Sequence, residues 1–307
     1  MENEKENNRP VVAVLMSTYN GERYLKDQLD SILSQQVVDI NLFIRDDGST
    51  DKTTDIIKSY KDIHLIKGAN IGCEESFMEL LFMPIEADYY AFADQDDVWH
   101  PKKLISAIDN MKKSHCDLAV CNLMMVDARL NLLGPLFSDD EISKTYYSMK
   151  KFAMGNIHGC VQVWTHKLHK IIQSYRPCPI EPHDAWVNAV ANVVSSTYID
   201  KHCFINYRLH GNNVSGYTKN KVQKLRKRLV LYLGEKHPHR DVFCRQLISH
   251  FGIYLQEDDC RYKTISMIAN YKSSLANKLK LCFSDYIHNC SIQYKCIYIL
   301  CVLLNKY

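Results

Sequence analysis

The sequence predicts an α/β domain with a mainly parallel sheet flanked by helices, followed by a helical C-terminal extension. Three observations predict it. Aliphatic runs such as "VVAVLM" (Val11 to Met16) lack polar alternation, which suits strands covered on both faces. Such runs alternate with helix-periodic segments over about 120 residues. Polar clusters stand where the strands end, at Ser17 to Asn20, Asp46 to Ser49, Ala69 to Gly72 and Asp94 to Asp97. Ligands bind beyond that edge in open sheets of this kind.

The elements follow in order. Val11 to Met16 is the first strand. "GERYLKDQLDSILSQ" follows as a helix, with Tyr24, Leu25, Leu29, Ile32 and Leu33 at helical spacing. "INLFIRDDGSTDKTTDIIKSY" repeats the scheme, with a strand from Ile40 to Ile44 and a helix for which Ser49 or Asp51 is the N-cap. "IHLIKGANIG" is a third strand and loop, and "CEESFMELLFMPI" a third helix. Tyr89 to Ala93 is the fourth strand. "PKKLISAIDNMKKS" is a helix with Pro101 in its first turn, where proline is tolerated. "CDLAVCNLMMVD" is a fifth strand. Beyond Asp139 the pattern loosens: a loop, a strand around Gly159 to Trp164 and a helix, a helix entered at Pro182, then two short strands and a polar loop in "TYIDKHCFINYRLHGNNVSG". After Gly216 the composition turns helical and basic, which divides the chain into residues 1–216 and 217–307.

Composition bounds the class. The chain has 307 residues, 46% hydrophobic and 24% charged, ordinary values for a globular protein with ample core. A net charge of +3 is too mild to imply a nucleic-acid partner. "MENEKENNRP" is polar and has no signal-peptide core, and "CIYILCVLL" is about half of a membrane span. The expected location is cytoplasmic, with peripheral attachment to the inner face of the membrane left open. The twelve cysteines show no C-x-x-C pair or zinc-site spacing, so reduced thiols used as small hydrophobes are expected.

The chemistry begins at "ADQDDVWHP". Asp94, Asp96 and Asp97 crowd the end of an apolar strand. A helix N-terminus accounts for Asp97 alone. If strand alternation continues, Asp94 and Asp96 point the same way, and two carboxylates aimed at one point call for a cation. Hard oxygen ligands suit Mg²⁺ or Mn²⁺, which recruit phosphate oxygens. "RDDGST" either accepts hydrogen bonds from a nucleotide or forms only a turn and helix cap. There is no G-x-G-x-x-G and no G-x-x-x-x-G-K-[ST], so neither a dinucleotide fold nor a P-loop enzyme is supported.

With these motifs in hand, "VLMSTYNGERYLKDQLDSILSQ", "RDDGSTDKT", "NIGCEESF" and "ADQDDVWHP" resemble, in order, the motifs of family-two glycosyltransferases with the GT-A fold. The resemblance runs from Val11 to Gly216. "DQDDVW", "HDAW" and "YRLHGNN" resemble bacterial enzymes that extend cell-surface polysaccharides, several of them rhamnosyltransferases. The resemblance implies a nucleoside-diphosphate-sugar donor, a glycan or lipid-linked acceptor and a Mg²⁺ or Mn²⁺ cofactor. It implies that Ser17 and Tyr19 line the nucleotide pocket, with Tyr19 against the base. Asp47 accepts from the pyrimidine N–H with Asp46 beside it, and Asn70 joins the donor side. Asp94-Gln95-Asp96 corresponds to the family's D-x-D. Asp96 ligates the metal and Asp94 contacts ribose or a metal-bound water, while Asp97 stays open. Asp184 in "EPHDAW" stands at the position of the catalytic base, although taken alone it is a first-turn helix carboxylate. His183 orients it or binds acceptor. His210 is a third metal ligand or phosphate contact, Arg208 a weaker phosphate contact. "GNIHGC" resembles an acceptor-side loop, and Trp99 or Trp186 stacks on a sugar or sits in the core.

"TKNKVQKLRKRLVLYLGEKHPHR" carries eight Lys or Arg. It is either a solvated helix face or a membrane-surface helix. With Tyr232 the one aromatic among its charges, nucleic acid is disfavoured. Two rival functions remain. A nucleotidyltransferase needs a glycine-rich triphosphate loop, and "STYNGERYL" is a poor one. A non-catalytic binding module has no need of Asp184.

Overall fold

The structure, a computed structural model, describes residues 9–138, 157–211, 240–283 and 292–306. The chain divides into two compact units, the second taking residues 177–181 as well as those after His210. The boundary expected at Gly216 and the basic stretch from Lys219 to His239 lie outside the described residues.

The first unit alternates β1 (Val11–Thr18), α1 (Leu25–Leu33), β2 (Asp39–Asp46), α2 (Thr53–Lys58), β3 (Ile63–Lys67), α3 (Cys73–Leu81) and β4 (Tyr89–Ala93). It continues with β5 (Val98–Trp99), α4 (Lys103–Ser114), β6 (Leu118–Val126) and β7 (Leu132–Pro135). After the undescribed stretch come β8 (Gln162–Thr165), α5 (His166–Gln173), α6 (His183–Val194) and β9 (Thr197–Arg208). The sheet runs β3-β2-β1-β4-β8-β6-β9-β5, with β7 on the outer part of β6. The first four strands are parallel, as their unbroken aliphatic runs require. Val12 to Met16 of β1 are wholly buried between β2 and β4. Beyond β4 the sheet is mixed: β8 runs antiparallel to β4 and β6, while β6 and β9 are parallel.

Three local expectations are corrected. "TYIDKHCFINYR" is one strand, β9, because the polar Lys201 and His202 are absorbed as an irregularity opposite Cys121 and Asn122 of β6. Pro101 precedes α4 instead of lying in its first turn, since β5 intervenes and pairs with β9. Neither Ser49 nor Asp51 is the N-cap of α2, which is Lys52, although Asp51 Oδ1 still accepts from the Thr53 amide at 2.9 Å.

On α5 the ring of His169 stacks on Tyr90 of β4 at 3.7 Å and is fully buried. Burial pushes its pKa down to about 3. The folded value lies below the unfolded one, so stability rises with pH between the two and is lost as pH falls below about 6.5. At pH 5 the cost is about 2 kcal/mol for this group. Thermal melts from pH 7 to 5 should therefore destabilise the wild type more steeply than His169→Asn. Parallel pH profiles would contradict it.

The second unit is helical in its described residues: α7 (Arg240–Phe251), α8 (Cys260–Ala269), α9 (Leu275–Cys282) and α10 (Ile292–Leu303). Its core holds Phe243, Leu247, Phe251, Ile268, Tyr271 and Leu281. No helix among the described residues is long and apolar enough to cross a membrane, and the eleven described cysteines are free thiols.

Candidate active site

Strand β4 ends at Ala93, so Asp94 to Asp97 form a turn, not an extension of the strand. Strand alternation therefore does not pair Asp94 with Asp96. The turn instead brings Asp94 and Asp97 together with Cys160, with one ligand atom from each within 4.8 Å of the others. Burial first, and then the charge of Asp96, push Asp94 up to about 7. Burial, Asp94 and Asp96 hold Asp97 well above the usual carboxylate range. Asp97 is completely buried, and its Oδ2 has no hydrogen-bond partner among the described residues. It lies outside α4, which removes the helix-start reading. Asp96 has a different neighbour: its Oδ2 lies 2.7 Å from Nε2 of His210. Three repelling carboxylates, one with an unpartnered oxygen, plus an imidazole fit a hard divalent cation. Burial raises the Cys160 thiol well above its ordinary value, so it stays protonated and is a poor ligand.

Helix α1 braces this turn with a polar ridge. Gln28 donates to the Asp94 carbonyl at 2.8 Å. Ser31 accepts from the Trp99 amide at 3.0 Å, and Gln35 accepts from the Leu104 amide at 3.1 Å. Gln28 and Ser31 share one face of α1, and Gln35 follows just beyond its C-cap. Arg208, at the end of β9, completes the brace. Its Nε donates to the Asp96 carbonyl at 2.8 Å, Nη1 to the Ala128 carbonyl at 3.1 Å and Nη2 to Asp27 at 2.9 Å. Its amide donates to Asp97 Oδ1 at 3.1 Å, and its guanidinium lies 4.5 Å over the Tyr24 ring. Arg208 is buried among these partners, so it braces the turn. Beneath the turn, Lys103 is buried with its Nζ 3.4 Å from the centroid of Trp99, and burial lowers its pKa to about 8.

On the donor side, Tyr19 is exposed and clamped to Gln95. The Tyr19 amide donates to Gln95 Oε1 at 3.0 Å, and Gln95 Nε2 donates to the Tyr19 carbonyl at 3.1 Å. Gly21 leaves room for this, since a Cβ there would come within 2.3 Å of Gln95 Oε1. Ser17 donates to Ser76 at 2.7 Å. Asp46 is buried, accepting from the Thr18 and Ser49 hydroxyls and the Ser49 amide. Asp47 is buried too, accepting from Arg45 and from the amides of Ile71 and Gly72. Those three bonds order the loop that exposes Asn70 and leave Asp47 about one of four lone pairs. Arg45 also reaches Ser76, tying β2 to α3.

Gly159 lies against the start of α6. Asp184 is half-buried in the first turn of α6, its Oδ1 accepting from the Ala185 amide at 2.7 Å. Its Cβ faces Gly159, the neighbour of Cys160 in the Asp94–Asp97 group, and its charge helps to raise Asp94. His183 stacks on Phe77 at 4.0 Å, and burial lowers its pKa to about 3, which keeps the ring neutral. A Cβ on Gly159 would meet His183 Nε2 at 2.7 Å and Asp184 Cβ at 3.5 Å. Gly159→Ala should displace His183, disturb the neighbouring Asp184 and lower kcat by about 10- to 100-fold. Steady-state kinetics beside a melting curve would check it, and an unchanged kcat would count against it. Trp99 and Trp186 are both buried in the core and unavailable for stacking on a sugar. Gly155 and Asn156 of "GNIHGC" lie outside the described residues.

The sequence pointed to the aspartates but not to their supports. Gln28, Ser31, Gln35, Gln95, Lys103 and Asp27 were read as ordinary helix or loop residues. The one available signal was the polar set 28, 31, 35 repeating at helical spacing beside an apolar set.

Parallel strands that end in an acidic turn, continued by a mixed sheet, make this a GT-A fold. Solved structures share the fold. Staphylococcus TarS (S. aureus, residues 1–349, in complex with UDP-GlcNAc) superposes with TM-score 0.60 at 14% identity, covering 94% of this chain and 79% of that one. The mannosyltransferase PcManGT from Pyrobaculum calidifontis, in complex with GDP-Man and Mn²⁺, gives 0.53 at 14% identity, covering 97% and 87%. The sequence pattern described as glycosyl transferase family 2 matches residues 13–169. The dTDP-rhamnosyl transferase RfbG of Shigella flexneri is 32% identical over 229 residues, 66% of this chain and 73% of that protein. An uncharacterised glycosyltransferase of Rickettsia typhi is 28% identical over 222 residues, 70% and 69%. The chain belongs to glycosyl transferase family 2 and is a glycosyltransferase.

Proposed function

We propose that this chain is an inverting, Mg²⁺- or Mn²⁺-dependent glycosyltransferase. Its donor is a nucleoside-diphosphate sugar, its acceptor a glycan or lipid-linked glycan of cell-surface polysaccharide. The observation that supports the reading is the buried turn of Asp94, Asp96 and Asp97, with Cys160 and His210 against it and Gly159 leading to the start of α6 that carries Asp184. RfbG, named as a dTDP-rhamnosyl transferase, supports a dTDP-hexose donor.

Asp96 and His210 would hold the cation, with Asp94 beside them. When bound, the cation supplies charge stabilisation to the departing nucleoside diphosphate. Tyr19 would lie against the base, Ser17, Asp46, Asp47 and Asn70 would shape the nucleotide pocket, and Arg208 would hold the Asp96 turn rigid. Asp184 takes the acceptor hydroxyl proton as its oxygen bonds to the anomeric carbon. The bond from that carbon to the diphosphate oxygen breaks on the opposite face, which inverts the centre. Peripheral attachment at the cytoplasmic face of the membrane belongs to the same reading, supported by the basic excess after Gly216.

The test is nucleoside-diphosphate release by purified protein with Mn²⁺, a panel of UDP-, dTDP- and GDP-sugars and glycan acceptors. Release with one donor, abolished in Asp96→Ala, is expected. No release from any donor, with nucleotide binding unchanged in Asp96→Ala, would overturn the reading.

A further inference from the structure

Helix α9 keeps no face for water alone. Leu281 and Cys282 point into the core of the second unit. On the outside, Leu275, Leu279 and Phe283 are 66%, 43% and 77% exposed. Their spacing of four residues makes one stripe along the helix. Helix α10 has the same character. Tyr298, Cys301 and Val302 are buried, whereas Leu300, Leu303 and Leu304 are exposed. The two helices pack together, with Lys278 Nζ 3.4 Å from the Leu303 carbonyl. Single exposed leucines are ordinary, but stripes on two adjacent helices mark a contact surface.

The charge around the stripes selects the partner. Residues 260–307 hold seven Lys or Arg and one acidic residue, Asp285. Arg261 and Lys272 pair with Asp259 and Asp241. Lys280 is exposed on the outer side of α9, next to Leu279. A second copy of the chain would bring an equally basic face against this one, because a two-fold contact matches a surface with itself. An anionic lipid surface accepts both features: its headgroups attract the lysines, and its acyl boundary takes the leucines and Phe283.

We propose that the α9–α10 face, with Leu275, Leu279, Phe283, Leu303 and Leu304, docks the protein onto an anionic bilayer surface. This deepens the membrane attachment in the proposed function and is independent of the chemistry there. The test is flotation of the full chain with phosphatidylcholine vesicles, with and without about one-third phosphatidylglycerol. The wild type should float only with the anionic vesicles. Leu279→Ser combined with Phe283→Ser should lower the bound fraction by about tenfold or more, with unchanged melting temperature and unchanged nucleotide-sugar turnover in solution. If that variant melts early, Leu303→Ser with Leu304→Ser reads the same face. Equal flotation of well-folded variants would assign attachment to another segment and overturn the proposal. So would a wild type that floats with neither vesicle, or one that light scattering finds as a dimer dissolved by the substitutions. Turnover without vesicles tests the enzyme reading separately.

Discussion

Asp184→Asn should lower kcat by about 10²–10⁴-fold while leaving donor affinity unchanged. The asparagine keeps the shape of the side chain and can still accept from the Ala185 amide, so α6 should start as before. What it loses is the ability to take the acceptor proton. Single-turnover release of nucleoside diphosphate at saturating acceptor, with calorimetric titration of the donor, separates the two effects. A fall in kcat below about tenfold would place the base elsewhere. A loss confined to donor affinity would make Asp184 a binding residue.

Arg208→Ala should be the most damaging substitution outside the reacting groups. It removes the donors to the Asp96 and Ala128 carbonyls and the partner of Asp27 in one step. Leaving such acceptors unpaired costs about 1–3 kcal/mol each. Asp27 is half-exposed and water replaces part of its contact, so the total expected is about 2–4 kcal/mol. The Asp96 turn should loosen with it, and Mn²⁺ binding should weaken by about tenfold or more. Arg208→Lys should recover little, since one ammonium cannot serve three separated acceptors. Urea melts and Mn²⁺ titration by electron paramagnetic resonance measure both effects. If Arg208 instead served the diphosphate, nucleotide affinity would fall with stability and Mn²⁺ binding intact.

Such a brace was illegible in the chain. Asp27, Ala128 and Arg208 are far apart in sequence, and nothing local marks their meeting. The aspartates were legible because three carboxylates at a strand end are costly without a cation. Their grouping was not. Alternation along a strand paired Asp94 with Asp96, but the strand stops at Ala93 and the turn pairs Asp94 with Asp97. In the sequence the two tryptophans stay open between a sugar and the core. An aromatic beside a helix start reads alike whether it faces a sugar or the core, and both are buried.

By itself, the sequence determined the parallel half of the sheet. Val11 to Met16 and Tyr89 to Ala93 are apolar throughout, and only strands buried on both faces satisfy such runs. It also determined which loops meet at the carboxyl edge, because strand direction follows from the alternation of strand and helix. Tertiary structure alone decided the antiparallel insertion of β8 between β4 and β6, which carries Gly159 and Cys160 to the acidic turn. It decided that His210 meets Asp96, and that a polar ridge on α1 holds the turn. The physical reason is the range of the forces. Burial patterns are written into neighbouring residues, whereas hydrogen bonds between distant segments exist only once packing has brought them within about 3 Å.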